Sequence, residues 1–275
     1  MTSPIDQAAR GTNARPLRGK RLFLTRPSAQ AGDFAARVAA LGGDAVLAPA
    51  IAIVPPERWT AADAALRRVG TYDWIAFTSA NAVRAVVDRV DALGISRDVL
   101  RGCQLAAVGS ATAASIASHL RSPDVLPSRA TSETLGRELP DVHGARILLP
   151  RGDLADDALP QTLATRGAFV DNVVVYRTVP GEGIATILDA LQTSSVDVLL
   201  FTSASAVRAV ANAIRRAEDV PGDLMRERLL VACVGPVTAA AARSVGFSRV
   251  IVAGGASVND LIDVLGRWYS SEGFC

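Results

Sequence analysis

Lysine is nearly missing from this 275-residue chain: Lys20 is the sole lysine among 29 basic residues, and the others are all arginine. Three cysteines, Cys103, Cys233 and Cys275, lie too far apart for a CxxC pair or a ligand cluster. Neither a disulfide framework nor a zinc site is therefore indicated. The two histidines, His119 and His143, have no metal-ligand spacing and read as surface or helix-end residues. No GxSxG turn occurs, and with so few histidines no Ser/His/Asp set stands out. GxGxxG and Walker A loops are missing too, which removes the nucleotide fingerprints. No stretch approaches the roughly 18 consecutive apolar residues of a membrane span. Residues 1–18 are polar, contain Pro4, Gly11 and Pro16, and lack an apolar signal core. They read as a flexible tail rather than an export signal, so a reduced, cytoplasmic setting is expected. No cofactor and no metal are expected.

What remains is an ordinary globular composition, 49% hydrophobic and 20% charged. At roughly 150 residues per domain, the length suggests about two domains. A net charge of +2 is too small to suggest nucleic acid as a partner. The arginine excess reads either as compositional bias or as a means of gripping anions bidentately, which lysine does poorly. No long heptad seam is visible, so a monomer is expected.

The chain repeats itself. Gly19–Gln30 (GKRLFLTRPSAQ) resembles Gly144–Ala155 (GARILLPRGDLA), with Arg26 and Arg151 125 residues apart. Tyr72–Val87 resembles Val196–Ala211, with Thr78 and Thr202 124 apart. Leu105–Ser118 resembles Leu230–Ser244, with Gly109 and Gly235 126 apart. Three matched blocks in one order at nearly one spacing define a duplicated unit. Within each copy, short runs such as RLFLT, WIAFT, LAAVG, RILLP, VLLFT and LLVACVG are apolar throughout, as strands covered on both faces must be. Each leads through small or polar residues into a helical stretch. In Ala80–Leu93, Val83, Val86, Val87 and Val90 form a buried stripe. Repeated βα units imply an α/β fold of doubly wound parallel sheets, since parallel neighbours need crossover helices. Two flavodoxin-like domains fit better than a barrel. Pro49–Pro56 and Asn172–Pro180 are extended, proline-bounded and β-branched, and read as paired connectors. Duplication alone places the domain boundary near residue 140.

Ligands of open α/β sheets bind where strands end and helices begin. Those loops are Thr25–Ser28, Thr78–Asn81, Gly109–Thr112, Pro150–Asp153, Thr202–Ser205 and Gly235–Thr238. Unpaired helix-start N–H groups, hydroxyls and the arginines would suit several anions. Candidate binding residues are Thr25, Arg26, Thr78, Ser79, Asn81, Gly109, Ser110, Thr112, Arg151, Gly152, Thr202, Ser203, Ser205, Gly235, Pro236 and Thr238. Plain N-capping explains Ser79, Ser110, Ser203 and Ser205 equally well. Asp153, Asp156 and Asp157 read as acids of a helix's first turn. Tyr176, on the second connector, is either a packing residue or a proton donor.

Taken in order, Thr25–Pro27, Phe77–Val83, Ala107–Ala113, Leu148–Gly152, Val175–Thr178, Phe201–Val207 and Val234–Ala239 resemble the uroporphyrinogen-III synthase family, over about residues 19–268. Each motif alone is weak; the ordered set is specific. The resemblance implies two flavodoxin-like domains joined by a two-stranded connector, with the active site in a cleft between them. It divides the chain into a discontinuous first domain (19–48 with 180–269), connectors (49–55 and 173–179) and an inserted domain (56–172). It implies cyclisation of hydroxymethylbilane, a small molecule with eight carboxylates, with inversion of ring D and loss of water. The usual scheme passes through an azafulvene cation and a spiro intermediate. Tyr176 falls on the family's connector tyrosine, the one candidate catalytic group. Thr112 and Thr238 match the threonines after each glycine loop, and Ser79 and Ser203 the serines of the two FTS loops.

Two other readings remain. A non-catalytic tetrapyrrole-binding regulator would keep the fold and carry a DNA-binding extension, for which the tail after Trp268 is too short. A periplasmic sugar- or nucleotide-binding protein would carry a signal peptide.

Overall fold

The computed structural model describes residues 15–26, 31–217, 219, 229–255 and 257–272. The chain opens with β1 (Arg21–Leu24), α1 (Ala31–Ala40) and β2 (Asp44–Leu47), then leaves through β3 (Ile51–Val54). Beyond β3 lie α2 (Thr60–Arg67), β4 (Trp74–Phe77), α3 (Ala80–Ala92), α4 (Arg97–Gly102), β5 (Gln104–Ala107) and α5 (Ser110–His119). Next come α6 (Ser132–Glu138), β6 (Arg146–Gly152), α7 (Ala158–Thr165) and the long β7 (Phe169–Pro180). The return consists of α8 (Gly183–Gln192), β8 (Val198–Phe201), α9 (Ala204–Arg216), β9 (Leu230–Cys233), α10 (Pro236–Ser244), β10 (Val250–Val252) and α11 (Val258–Glu272).

Two compact units result. One combines the chain up to Ala52 with everything from Pro180 onward, and the other is Ile53–Val179. The boundary expected near residue 140 from duplication alone is not where the chain divides. The first sheet has the order β10-β9-β8-β1-β2, with each pair parallel. Numbered along its own unit, it reads 2-1-3-4-5. The second sheet has the order β3-β7-β6-β4-β5, and its β4–β5, β4–β6 and β6–β7 pairs are parallel. Its last four strands by chain order read 2-1-3-4, and β3 takes the remaining edge.

Burial follows the strand period of two. In β1, Leu22 and Leu24 join the layer of α1 and α11, while Phe23 joins the layer of α8, α9 and α10. In β4, Ile75 and Phe77 meet α3 and α5, and Trp74 and Ala76 meet α6 and α7. Strands β4, β8 and β9 are buried at every position, which is why their sequences show no alternation. The expected helix from Ala80 is α3, and Val83, Val86, Val87 and Val90 are all wholly buried. Edge strands β2 and β10 are partly exposed; β2 (DAVL) mixes polar and apolar residues, whereas β10 (VIV) is β-branched throughout but only three residues long.

Where the chain re-enters the first unit, backbones touch. A Cβ on Gly183 would lie 2.1 Å from the Ala48 carbonyl carbon, and the Gly183 N–H donates to the Pro49 carbonyl over 3.0 Å. Only glycine permits that approach.

The expected tail is shorter than residues 1–18. Residues 1–14 lie outside the described residues, but Leu17 is wholly buried against Leu22, Phe34 and Val38, and its N–H donates to the Leu41 carbonyl. One apolar residue between Pro16 and Arg18 has no periodicity to reveal it. Leu17→Ala is expected to cost about 2–5 kcal/mol, read as a lower urea midpoint with an unchanged slope.

Candidate functional site

Adjacency in the sheets collects the strand-end loops into two sets of three. In the first unit β9, β8 and β1 are neighbours, so their loops into α10, α9 and α1 share one edge. In the second unit β6, β4 and β5 do the same for α7, α3 and α5. The duplicated loops match in detail. Ser79 and Ser203 cap α3 and α9 with nearly identical backbone angles, accepting from Ala82 N and Ala206 N over 3.1 and 3.2 Å. Gly109 and Gly235 cap α5 and α10 without a side chain, leaving helix-start N–H groups free for another acceptor.

Other candidates behave differently. Thr25 is 1% exposed, and its hydroxyl donates to the Leu200 carbonyl over 2.7 Å, so it ties β1 to β8 and offers nothing outward. Thr112 and Thr238 are buried too, at 4% and 5% exposure. Their hydroxyls have no partner among the described residues, yet neither is a fully buried orphan, so each still reaches the surface. Thr78 and Thr202 are half-buried at the strand ends. Ser110 and Ser205 lie inside the first turns of α5 and α9, so of the two readings left open for them N-capping does not hold. Asn81 is held by a hydrogen bond from Arg84. Pro236 at the start of α10 fits a helix but removes one N–H donor. Arg26 is exposed, without a partner among the described residues.

Arg151 is not an open grip. Its side chain is 12% exposed; one guanidinium nitrogen donates to Asp157 over 2.7 Å, another donates to the Asp156 carbonyl, and Nε is buried without a partner. Nor are the three aspartates acids within a helix's first turn. All precede α7. Asp156 accepts from Ala158 N, Asp157 holds Arg151, and Asp153 accepts from Thr178 N over 2.9 Å.

Tyr176 stands at the middle of the second unit's loops. Its hydroxyl is 3.1 Å from Ser79 Oγ, and its carbonyl accepts from Asp153 N over 3.2 Å. A bulge puts it there. Along β6 and β7, Arg151 faces Val174 but Gly152 faces Tyr176, with Val175 left over. Consecutive strand residues normally face opposite ways. Here Val175 is in the core and Tyr176 packs against the same core, because the extra residue re-aims the side chain after it. Gly152 is buried, with the tyrosine ring above it. Asp153's hydrogen bonds to β7 and the bulge are the features around Tyr176 that sequence reasoning missed; the bulge left no motif, and the acid was assigned to the wrong element.

Other chemistry is sparse. Burial pushes the Cys233 thiol up to about 12 and also raises that of Cys103, so neither is a nucleophile at neutral pH. Cys275 lies outside the described residues. His119 ends α5 and His143 is exposed. Among the described residues no three His, Cys, Asp or Glu side chains form a metal-ligand group, and no helix is long and apolar enough to cross a membrane. A hollow of about 530 Å³ lies at the opposite, amino ends of β4, β5 and β6. Asp73 and Asp141 in its wall would repel an anion.

Fold and site define a duplicated parallel α/β protein in which each unit lines its strand ends with backbone and hydroxyl donors, and the second unit adds one tyrosine. The uroporphyrinogen-III synthase HemD family matches residues 32–263. The uroporphyrinogen-III synthase of Synechococcus elongatus is 32% identical over 227 residues, which is 81% of this chain and 85% of that one. A crystal structure of a mutant uroporphyrinogen III synthase from Thermus thermophilus shares the fold with a TM-score of 0.70 at 24% identity, covering 92% of this chain and 99% of that one. The Helicobacter pylori enzyme structure does so with a TM-score of 0.57 at 14% identity, covering 89% and 97%. The chain belongs to the uroporphyrinogen-III synthase family.

Two outcomes are expected. Ser79→Ala should lower stability by about 1 kcal/mol through loss of the cap, measured by denaturant titration. At pH 8, native protein treated with iodoacetamide should show neither Cys103 nor Cys233 alkylated in peptide mass maps, and both should react once it is unfolded.

Proposed function

We propose that this chain cyclises hydroxymethylbilane to uroporphyrinogen III with loss of water, in two flavodoxin-like domains joined by the paired connectors. The strand order 2-1-3-4-5 supports the domain assignment. The observation that carries the chemistry is the Tyr176 hydroxyl beside Ser79, at the end of the second sheet where three helix starts gather. A phenol is a proton donor at neutral pH, and donor-lined loops suit a substrate with eight carboxylates.

Tyr176 gives its proton to the ring A hydroxyl as that C–O bond breaks and the pyrrole nitrogen lone pair moves in. Water leaves, and an azafulvenium ion remains. The substituted α-carbon of ring D attacks the exposed methylene and forms a spiro intermediate. Its bond to the ring C bridge then breaks, and the bridge carbon rejoins ring D at the free α-carbon. The hydrogen lost from that carbon leaves as a proton and balances the one given to the hydroxyl. Thr112, Thr238, Ser203 and the free N–H groups of α5 and α10 hold carboxylates and keep the bilane folded. No external cofactor enters this scheme. The enzyme works as a monomer in the cytoplasm.

Incubation with enzymatically generated hydroxymethylbilane should give isomer III, separated from isomer I by chromatography. Tyr176→Phe should slow that turnover by about 10²–10⁴. Isomer I alone from the unaltered protein would favour the non-catalytic regulator, and undiminished turnover by the phenylalanine variant would remove Tyr176 from the chemistry.

A further inference from the structure

We propose that Gly152 is a positioning residue, whose missing side chain gives Tyr176 the place from which its phenol acts; the inference rests on the tyrosine's role above. A Cβ at position 152 would lie 2.5 Å from Cζ, 2.6 Å from Cε2 and 2.7 Å from the hydroxyl oxygen of Tyr176. Non-bonded carbons settle about 3.5–4.0 Å apart, so no other residue fits beneath the ring as it stands. Backbone freedom is not the reason for this glycine, since it is absent from the glycines with positive φ. The demand is for space alone.

The bulge makes that demand specific. In regular register Gly152 would face Val175; the extra residue sets Tyr176 opposite it instead. Shelf and ring are therefore products of one irregularity, and Ser79 completes the seat from the β4–α3 loop. The duplication supplies a comparison within the chain. At the position aligned with Gly152 the first copy has Pro27, and its connector, Pro49–Pro56, has no tyrosine. The glycine accompanies the ring.

The clashing atoms are the far end of a side chain that can swing outward, so Gly152→Ala is expected to fold and to lose the tyrosine's position. The full-length chain is compared as Gly152→Ala, Tyr176→Phe and the double variant. With tyrosine labelled at ¹³Cζ, three residues give signals: Tyr72, Tyr176 and Tyr269. Tyr176→Phe identifies one, and Gly152→Ala should shift that signal and leave the other two in place. In turnover to isomer III, Gly152→Ala should lower kcat at least about 10-fold, with KM nearly unchanged. The double variant should be no slower than Tyr176→Phe, because the glycine acts through the hydroxyl.

An unmoved Tyr176 signal, or losses that multiply in the double variant, overturns the proposal. If Gly152→Ala does not fold, adding Tyr176→Ala removes the ring and should restore the melting transition; failure to restore it overturns the proposal as well. The labelled spectrum does not depend on activity. A shifted signal in a protein inert toward the bilane would sink the proposed function and leave the seat intact.

Discussion

A parallel sheet must be covered on both faces, and that requirement shapes the rest of this molecule. Each strand that ends on the sheet's carboxyl edge has to lead into a helix that crosses back, so every such edge collects helix starts. Because β9, β8 and β1 adjoin, and β6, β4 and β5 adjoin, three starts meet in each unit. Unpaired N–H groups and capping hydroxyls then present partial positive charge with no need for a charged side chain. The loops therefore still offer acceptors a donor-rich surface although Arg151 is occupied by Asp157.

Against this repeated background, the bulge between Arg151 and Gly152 breaks the symmetry. Strand alternation would bury Val175 and send Tyr176 to the other face. The bulge keeps both on one side, so the ring's apolar body packs against the core while its hydroxyl reaches Ser79. Asp153 then fastens the two strand ends, donating its N–H to the Tyr176 carbonyl and accepting from Thr178 N. An aromatic with a buried body and a polar tip is well suited to such a rim. Tyr72 shows the contrast: it is buried, donates to Asp171, and burial carries its phenol up to about 12.

What could be read from the sequence was what depends on period and spacing. The inner strands β4, β8 and β9 were visible because burial on both faces leaves unbroken apolar runs, and α3 because its valines fall on one stripe. Residues whose role depends on one side-chain rotamer were not visible. Thr25 sits where an outward donor belongs, yet its hydroxyl turns to the Leu200 carbonyl. Arg151 carries the right charge, yet a loop folds back and supplies its partners from residues 156 and 157. Leu17 belongs to the core without any pattern around it. Tyr176 could be singled out by family resemblance, but its seat rests on a register shift of one residue, and hydrophobic patterning is blind to that.

The sparseness of catalytic groups has an energetic explanation. Hydroxymethylbilane closes unaided to the uninverted ring, so the task is mainly selection between two closures. A 100-fold preference requires only about 2.7 kcal/mol, and a hydrogen bond contributes about 0.5–1.5 kcal/mol net. A few donors in the right places suffice, and placement then counts for more than acid strength. That makes the outcome sensitive to geometry. Where a rate depends on near-attack alignment, a misplacement of about 1 Å is worth about 100-fold. A single carbon beneath the Tyr176 ring would stand about 1 Å inside normal contact distance. Even the smallest side chain added there would therefore have to push the Tyr176 ring aside.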